Sequence, residues 1–171
     1  MQPKTRFFAT SFAVALLLDQ LTKLWIVRNL SRTDSIPIID GFFTITHVRN
    51  PGAAFGLFTG LDESVRVPLF LGVSLAAVIL VLRFQRSLEP GDRLSATALG
   101  LILGGAVGNL VDRIRYGEVV DFLHFRLWRG YVWPDFNLAD SFIVVGVALL
   151  VIELVVGEGE QRAAEGRDRP G

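Results

Sequence analysis

Residues 94–113 read LSATALGLILGGAVGNLVDR, and this stretch decides the fold. Residues 94–111 carry no charged side chain, and the run ends abruptly at Asp112 and Arg113. A bilayer core is crossed by roughly 20 apolar residues at helical rise, so the length fits a membrane helix. Within it, Gly100, Gly104 and Gly108 repeat at four-residue spacing, a pattern typical of close helix packing.

Three further apolar stretches resemble this one. Together they predict four transmembrane helices at about residues 7–27, 67–84, 94–113 and 136–156. The chain is 51% hydrophobic with a mean hydropathy of +0.46, which is high for a soluble domain. We therefore predict a membrane α-helical fold, in which residues 1–157 form a single integral-membrane domain. Residues 158–171 are polar and Gly-rich, and we expect a disordered tail there.

The first stretch also resembles a secretory signal peptide, because Lys4 and Arg6 precede the apolar run. However, the run is too long, contains Asp19 and Lys23, and lacks a small-x-small cleavage site at its end. We predict a retained membrane helix.

The orientation follows from the basic residues. With the N-terminus inside, the inner and the outer segments hold equal numbers of Lys and Arg. The inner segments are shorter, so their basic density is higher, which favours cytoplasmic N- and C-termini. In that arrangement, the polar residues that interrupt the first, third and fourth helices all lie near the outer face. Ionisable groups within a membrane are costly and indicate a functional site.

The outer segments are more than linkers. Residues 35–48 and 118–128 are rich in β-formers and predict a small extracytoplasmic β-sheet, with a turn at Gly41. A short interfacial helix is expected after the turn at residues 50–56. Five aromatic residues suit the interfacial belt of a membrane protein, namely Phe42, Phe43, Trp128, Tyr131 and Trp133.

Several polar residues are candidates for a site, and each also has a structural interpretation. Asp19 and Lys23 share one helix face and can form an ion pair that locks the bundle. Asn109, Asp112 and Arg113 also suit a solvated helix end. In the turn at residues 50–56, Asn50 and Gly52 could bind a ligand, since glycine allows close approach to the backbone. The same turn could equally be an ordinary connection.

Two carboxylates are the strongest catalytic candidates. Asn137 suits a helix cap and Asp140 the third helical position, where a negative charge is favoured. Asp121 lies in the apolar run 119–123, where a solvated acid is hard to explain. Two carboxylates in apolar surroundings can share one proton, so that one acts as base and the other as acid. An aspartic protease activates water in this way.

Other chemistries have less support. His47 and His124 are the only histidines and Cys is absent, so a metal site is not expected; HExxH, GxSxG and Walker motifs are missing. No cofactor is expected. The neutral net charge gives no argument for nucleic-acid binding. A small transporter or proton relay through Asp19, Lys23, Asp112 and Asp140 is the alternative function.

Five motifs carry a family resemblance across nearly the whole chain. They are DQLTK at 19–23, NPGAAFG at 50–56, GGAVGNLVDR at 104–113, GEVVDF at 117–122 and FNLADS at 136–141. With these motifs in this order, the chain resembles the bacterial lipoprotein signal peptidases (signal peptidase II). Asp135, beside the last motif, is a departure, since a neutral residue is expected there.

The resemblance implies an aspartic endopeptidase of the bacterial inner membrane, active as a monomer among membrane lipids. It would cut lipid-modified prolipoproteins before the diacylglyceryl-modified Cys, and cyclic peptides of the globomycin type would inhibit it. The family's catalytic aspartates match Asp121 and Asp140. Its substrate-contacting residues match Asp19, Lys23, Asn50, Asn109, Arg113 and Asn137, to which the turn adds Gly52.

Overall fold

The computed structural model describes the chain at residues 2–52 and 60–167. Its main elements are four helices: α1 Pro3–Asn29, α2 Glu63–Ser87, α3 Arg93–Tyr116 and α4 Leu138–Arg167. Each helix is long and apolar enough to cross a membrane; in α4 the apolar span is Leu138–Val156. The prediction of four membrane helices is confirmed, with ends that differ by a few residues.

Helix α3 is the centre of the bundle. It is mostly buried and packs against α1, α2 and α4. The other three helices expose large apolar side chains on their outer surfaces, including Leu17, Leu75 and Leu154. Such a surface is unfavourable in water but suits the hydrocarbon of a bilayer.

The glycines of α3 allow its neighbours to approach closely. A methyl group on Gly104 would lie 2.6 Å from the Cβ of Ala15 in α1. A methyl group on Gly105 would collide with the backbone carbonyl of Ala139 in α4. The four-residue spacing of small residues is therefore used for packing, as predicted.

The connections from α1 to α2 and from α3 to α4 form a four-stranded antiparallel sheet. Its strands are β1 Ser35–Ile39, β2 Phe43–Asn50, β3 Val119–Arg126 and β4 Val132–Phe136, paired in the order β1-β2-β3-β4. Gly41, with φ +72°, lies in the turn between β1 and β2. Gly117, also at φ +72°, ends α3 and leads directly into β3. The small predicted sheet is thus present and contains one strand, β4, that was not predicted.

Both ends of α4 differ from the prediction. Residue 136 was expected to begin the helix, but Phe136 ends β4 and α4 begins at Leu138. A disordered tail was expected from residue 158, but α4 continues as a helix to Arg167. Residues 158–167 contain Glu, Gln, Arg and Ala, which have high intrinsic helix propensity and favour this continuation.

The interfacial helix expected after the turn at residues 50–56 falls around residues 53–59, which lie outside the described residues. The described chain resumes with a turn at Gly60, and α2 begins at Glu63.

Candidate active site

Asp121 lies within β3 and Asp140 in the first turn of α4, and both side chains line one cavity of about 660 Å³. Asp121 is 2% exposed, whereas Asp140 is half-buried. The sheet brings β3 next to the start of α4, so two residues that are nineteen positions apart in the sequence share the same cavity. The two acids singled out in the sequence are therefore brought together.

The start of α4 holds Asp140 in place. The backbone N–H of Asp140 donates to Oδ1 of Asn137 at 3.0 Å, and the N–H of Asn137 donates to Oδ2 of Asp140 at 3.2 Å. This reciprocal arrangement is a capping box, which satisfies two otherwise unpaired N–H groups of the helix end. The predicted cap at Asn137 is present, and its partner is the candidate catalytic acid.

Asparagine side chains connect the two carboxylates. Asn137 and Asn50 donate to Oδ1 and Oδ2 of Asp121 at 2.7 and 2.9 Å. Asn109 donates to Oδ1 of Asp140 at 2.8 Å and accepts a bond of 3.2 Å from Asn137. Asn50 reaches Asp121 because β2 pairs with β3 in a register that places Val48 opposite Asp121. These amides fix the orientation of both acids.

Asp121 has an unusual acidity. Burial raises the pKa of its carboxyl to about 7, and repulsion from Asp140 acts in the same direction. The hydrogen bonds from Asn50 and Asn137 and the charge of Lys23 lower the pKa, but burial outweighs them. Asp121 therefore holds a proton through much of the range below neutral pH, and can act as an acid beside Asp140.

Arg113 forms part of the cavity wall. Its guanidinium donates to the backbone carbonyls of Asn109 at 3.3 Å and Gly52 at 3.4 Å, and it lies 5.0 Å above the ring of Phe70. Gly52 is buried, and its N–H donates to the side chain of Asn50 at 3.0 Å. The predicted binding residues Asn50, Gly52, Asn109 and Arg113 therefore line one cavity. Asn137 lies directly behind it.

Asp19 and Lys23 have a different position from the one expected of substrate-contacting residues. They form the predicted ion pair, with Lys23 Nζ 3.0 Å from Asp19 Oδ2, but both are almost fully buried and neither lines the cavity. Lys23 also lies 2.9 Å from Asp112 and donates to Asn109 at 2.8 Å. The small residues of α3 bring α1 close enough for these contacts. The pair therefore supports the cavity wall from behind.

The histidines have partners elsewhere. His47 is buried and bonds through Nδ1 to the carbonyl of Leu30 at 2.9 Å. His124 lies 2.6 Å from Asp135, across β3 and β4. This contact gives Asp135 a partner of its own at the rim of the cavity. Among the described residues, no three His, Cys, Asp or Glu side chains group as metal ligands would.

The profile of the signal peptidase II family matches residues 11–156. The chain belongs to this peptidase family. It is 45% identical to the lipoprotein signal peptidase of Geobacter metallireducens, over 94% of this chain and 98% of the relative. It is 47% identical to that of Geobacter sulfurreducens, over 91% of this chain and 95% of the relative.

Solved structures agree with this assignment. A bacterial membrane enzyme determined by the in meso method at 2.3 Å superposes with a TM-score of 0.78 and 29% identity, over 96% of this chain and 93% of the other. A second, at 1.9 Å, gives a TM-score of 0.75 and 33% identity, over 86% and 91%. The chain is thus a multi-pass membrane protein and a peptidase of the signal peptidase II family. This membership replaces the transporter alternative.

Two residues of this signal peptidase II were not among the candidates for binding or catalysis. The sequence indicated Asp112 only as part of a helix end or of the alternative proton relay, and it did not single out Gln20. Gln20 donates to Asp19 at 3.1 Å, to the carbonyl of Gly108 at 3.2 Å and to Asp112 at 3.4 Å. Gln20 and Asp112 both lie within the motifs that resemble the family. Their signal in the sequence is a polar side chain within an otherwise apolar membrane helix.

Proposed function

We propose that the chain removes the signal peptide from diacylglyceryl-modified prolipoproteins, cutting before the lipidated Cys, with Asp121 and Asp140 as the catalytic pair. One observation carries the proposal: two carboxylates line one cavity, and burial gives one of them a pKa of about 7. Such a pair can hold one shared proton at neutral pH, as an aspartic peptidase requires.

In the proposed reaction, ionised Asp140 takes a proton from a water molecule and the water oxygen attacks the scissile carbonyl. The positive end of the α4 dipole favours the negative charge of Asp140 at this position. Protonated Asp121 donates to the carbonyl oxygen as the tetrahedral intermediate forms. The amide nitrogen then takes the proton held by Asp140, and the C–N bond breaks. Asp121 recovers its proton as the new carboxyl group forms, so the pair returns to its starting state.

The neighbouring side chains would position the substrate. The side chains of Asn50 and Asn109 and the guanidinium of Arg113 line the cavity and offer donors to the peptide carbonyls. Gly52 lets the substrate backbone approach the cavity wall. Asp19, Lys23 and Asn137 would act through the residues that they hold.

The cavity opens toward the apolar surface of α4. Ile143, Val144 and Val145 of α4 line the part of the cavity that lies along this helix, and Val144 is 66% exposed on the apolar outer surface. A lipid-modified Cys could therefore reach the dyad while its acyl chains remain in the bilayer. This geometry supports a substrate that is held by the membrane.

We further propose that the enzyme lies in the bacterial cytoplasmic membrane with both termini in the cytoplasm and the dyad near the outer face. The higher density of basic residues in the inner segments supports this orientation. Three exposed aromatic residues, Trp128 and Tyr131 in the turn between β3 and β4 and Trp133 in β4, suit the headgroup layer. In this proposal the enzyme acts as a monomer, and cyclic peptides of the globomycin type compete for its cavity.

The decisive experiment incubates the purified protein with a diacylglyceryl-modified prolipoprotein and follows release of the signal peptide by mass spectrometry. We expect cleavage directly before the lipidated Cys, and none of the same protein lacking the lipid. Cleavage at another bond, or none with the lipid-modified substrate, would contradict the proposal.

A further inference from the structure

A second cavity, of about 700 Å³, lies at the opposite end of the helix bundle from the dyad. Its walls come from α2, α3 and α4 and are mostly apolar, with Ala77 and Phe84 on one side and Leu150 on the other. Helices α2 and α4 each pack against α3, but hardly touch each other in the part of the chain that the structure describes. The cavity is therefore the inner end of a groove between α2 and α4.

Both cavities lie on the same face of α3 and α4. In α3, Ser95 and Ile102 line the second cavity, here called the inner cavity. Asn109, seven residues beyond Ile102, lines the cavity that contains Asp121 and Asp140. In α4, Ile143 and Leu150 are related in the same way. Residues seven apart project from nearly the same side of a helix. One continuous face therefore runs from the dyad to the inner cavity.

The length of this face fits one particular ligand. Asp140 and Glu153 are thirteen residues apart on α4, about 20 Å at helical rise. A signal peptide has an apolar segment of about 7 to 15 residues, which as a helix spans roughly 10 to 22 Å. If its cleavage site lies at the dyad, its N-terminal end reaches the level of Glu153.

The charge at that level is complementary. The charged residues that line the inner cavity are Asp92 and Glu153, both acidic, among the described residues. Asp92 accepts a bond of 3.0 Å from the N–H of Ser95, whose hydroxyl contacts Glu153. The segment that precedes the apolar part of a signal peptide is basic. A carboxylate on an otherwise apolar membrane helix also indicates a functional role.

We propose that the groove between α2 and α4 binds the signal-peptide helix of the substrate, and that Glu153, with Asp92, receives its basic N-terminal segment. The inference rests on the proposed function, because it names a second contact for the same substrate. It gives the enzyme a way to select signal peptides at about 20 Å from the scissile bond.

The test uses three lipid-modified substrates: a full prolipoprotein, the same protein with its N-terminal Lys and Arg changed to Gln, and a short peptide containing only the cleavage region. For the wild type we expect KM to rise about fivefold when the basic residues are removed, the size expected of one partly exposed ion pair. Glu153→Gln should abolish this difference and leave kcat unchanged. Glu89→Gln is the matched control, because Glu89 is exposed at the same end and does not line the cavity.

A second variant keeps the test decisive if Glu153→Gln folds poorly. Ala77→Trp fills the groove from α2, and should raise KM for the full prolipoprotein but not for the short peptide. The groove assignment is wrong if Glu153→Gln still has a lower KM for the prolipoprotein with the basic N-terminal segment than for the one without it. It is also wrong if Ala77→Trp leaves the KM for the full prolipoprotein unchanged. In both cases cleavage itself would continue. If the wild type cuts neither the full nor the short substrate, the proposed function fails instead.

Discussion

The carboxylate of Asp112 accepts a hydrogen bond of 3.1 Å from the backbone N–H of Val120, the residue before Asp121. Asp19 accepts one of 3.0 Å from the N–H of Ala139, the residue before Asp140. Lys23 lies between the two carboxylates. One ammonium group thus connects the strand and the helix that carry the dyad, and the separation of the two catalytic candidates depends on a buried cluster that does not line the cavity.

The first prediction concerns the charge balance of this cluster. Lys23 is its one cation among the described residues, opposite two buried carboxylates. Lys23→Met leaves both acids without a counter-charge, and we expect a loss of about 3–5 kcal/mol in unfolding free energy. Asp19→Asn leaves one cation facing one anion, so it should lower the unfolding free energy less than Lys23→Met does. Thermal unfolding in detergent measures both.

The control for this comparison is Arg28→Met, an exposed cation at the end of the same helix. Its effect should stay within about 0.5 kcal/mol. If Asp19→Asn destabilises the protein more than Lys23→Met does, the charge balance is not what holds the cluster together.

The second prediction concerns the dyad. Asp121→Asn and Asp140→Asn should each lower kcat by at least about 10²–10⁴-fold, because an amide cannot exchange the proton. Asp121→Asn also places an NH₂ group against the donors of Asn50 and Asn137, so its folding is checked by thermal unfolding. Glu118→Gln, the same change on a partly exposed acid three residues earlier, should retain activity. Substantial turnover by either Asp variant would remove that residue from the catalytic pair.

The third prediction concerns the packing between α3 and α4. Gly105→Val would push side-chain atoms against the carbonyl of Ala139, beside Asp140. We expect a loss of about 1–3 kcal/mol or more in stability, together with reduced kcat because the first turn of α4 moves. Gly72→Ala in α2 is the control: the site is open, and the change should be neutral or slightly stabilising. Equal thermal stability of the two variants would contradict this account.

The fourth prediction concerns orientation. The chain has no Cys, so a single introduced thiol can be labelled uniquely. Trp128→Cys, at a position 77% exposed in the turn between β3 and β4, should react with a membrane-impermeant maleimide in intact cells. Arg86→Cys, exposed at the other end of the bundle, should react only after the membrane is opened. The reverse pattern would place the dyad at the cytoplasmic face.

The sequence predicted the helices because length and hydropathy are local properties, and it predicted the cap at Asn137 for the same reason. Strand β4 was missed because Pro134 and Asp135 are disfavoured in strands, and only pairing with β3 compensates for them. The motifs at residues 19–23 and 104–113 do not indicate that Lys23 is buried beside Asp112, because this contact depends on how α1 packs against α3. Local sequence patterns identified Asp121 and Asp140, whereas the residues that hold them in place depend on tertiary packing.

The last prediction follows from the acidity of Asp121. Its pKa is about 7 in the folded protein, because burial disfavours the charged form, against about 3.9 in an unfolded chain. Between these values the folded state binds more protons than the unfolded state, so the free energy of unfolding falls as pH rises from about 4 to 7. Asp121→Asn lacks this titration.

The Tm of Asp121→Asn relative to wild type should therefore rise between pH 5 and about 7 in detergent, and level off above that pH. The other titratable groups are present in both proteins, so their contributions largely cancel in this difference. Activity should show a descending limb near pH 7, because the ionised form of Asp121 cannot donate a proton. Parallel Tm curves for the two proteins would contradict this account, because they would mean that Asp121 is already ionised at pH 5 in the folded protein.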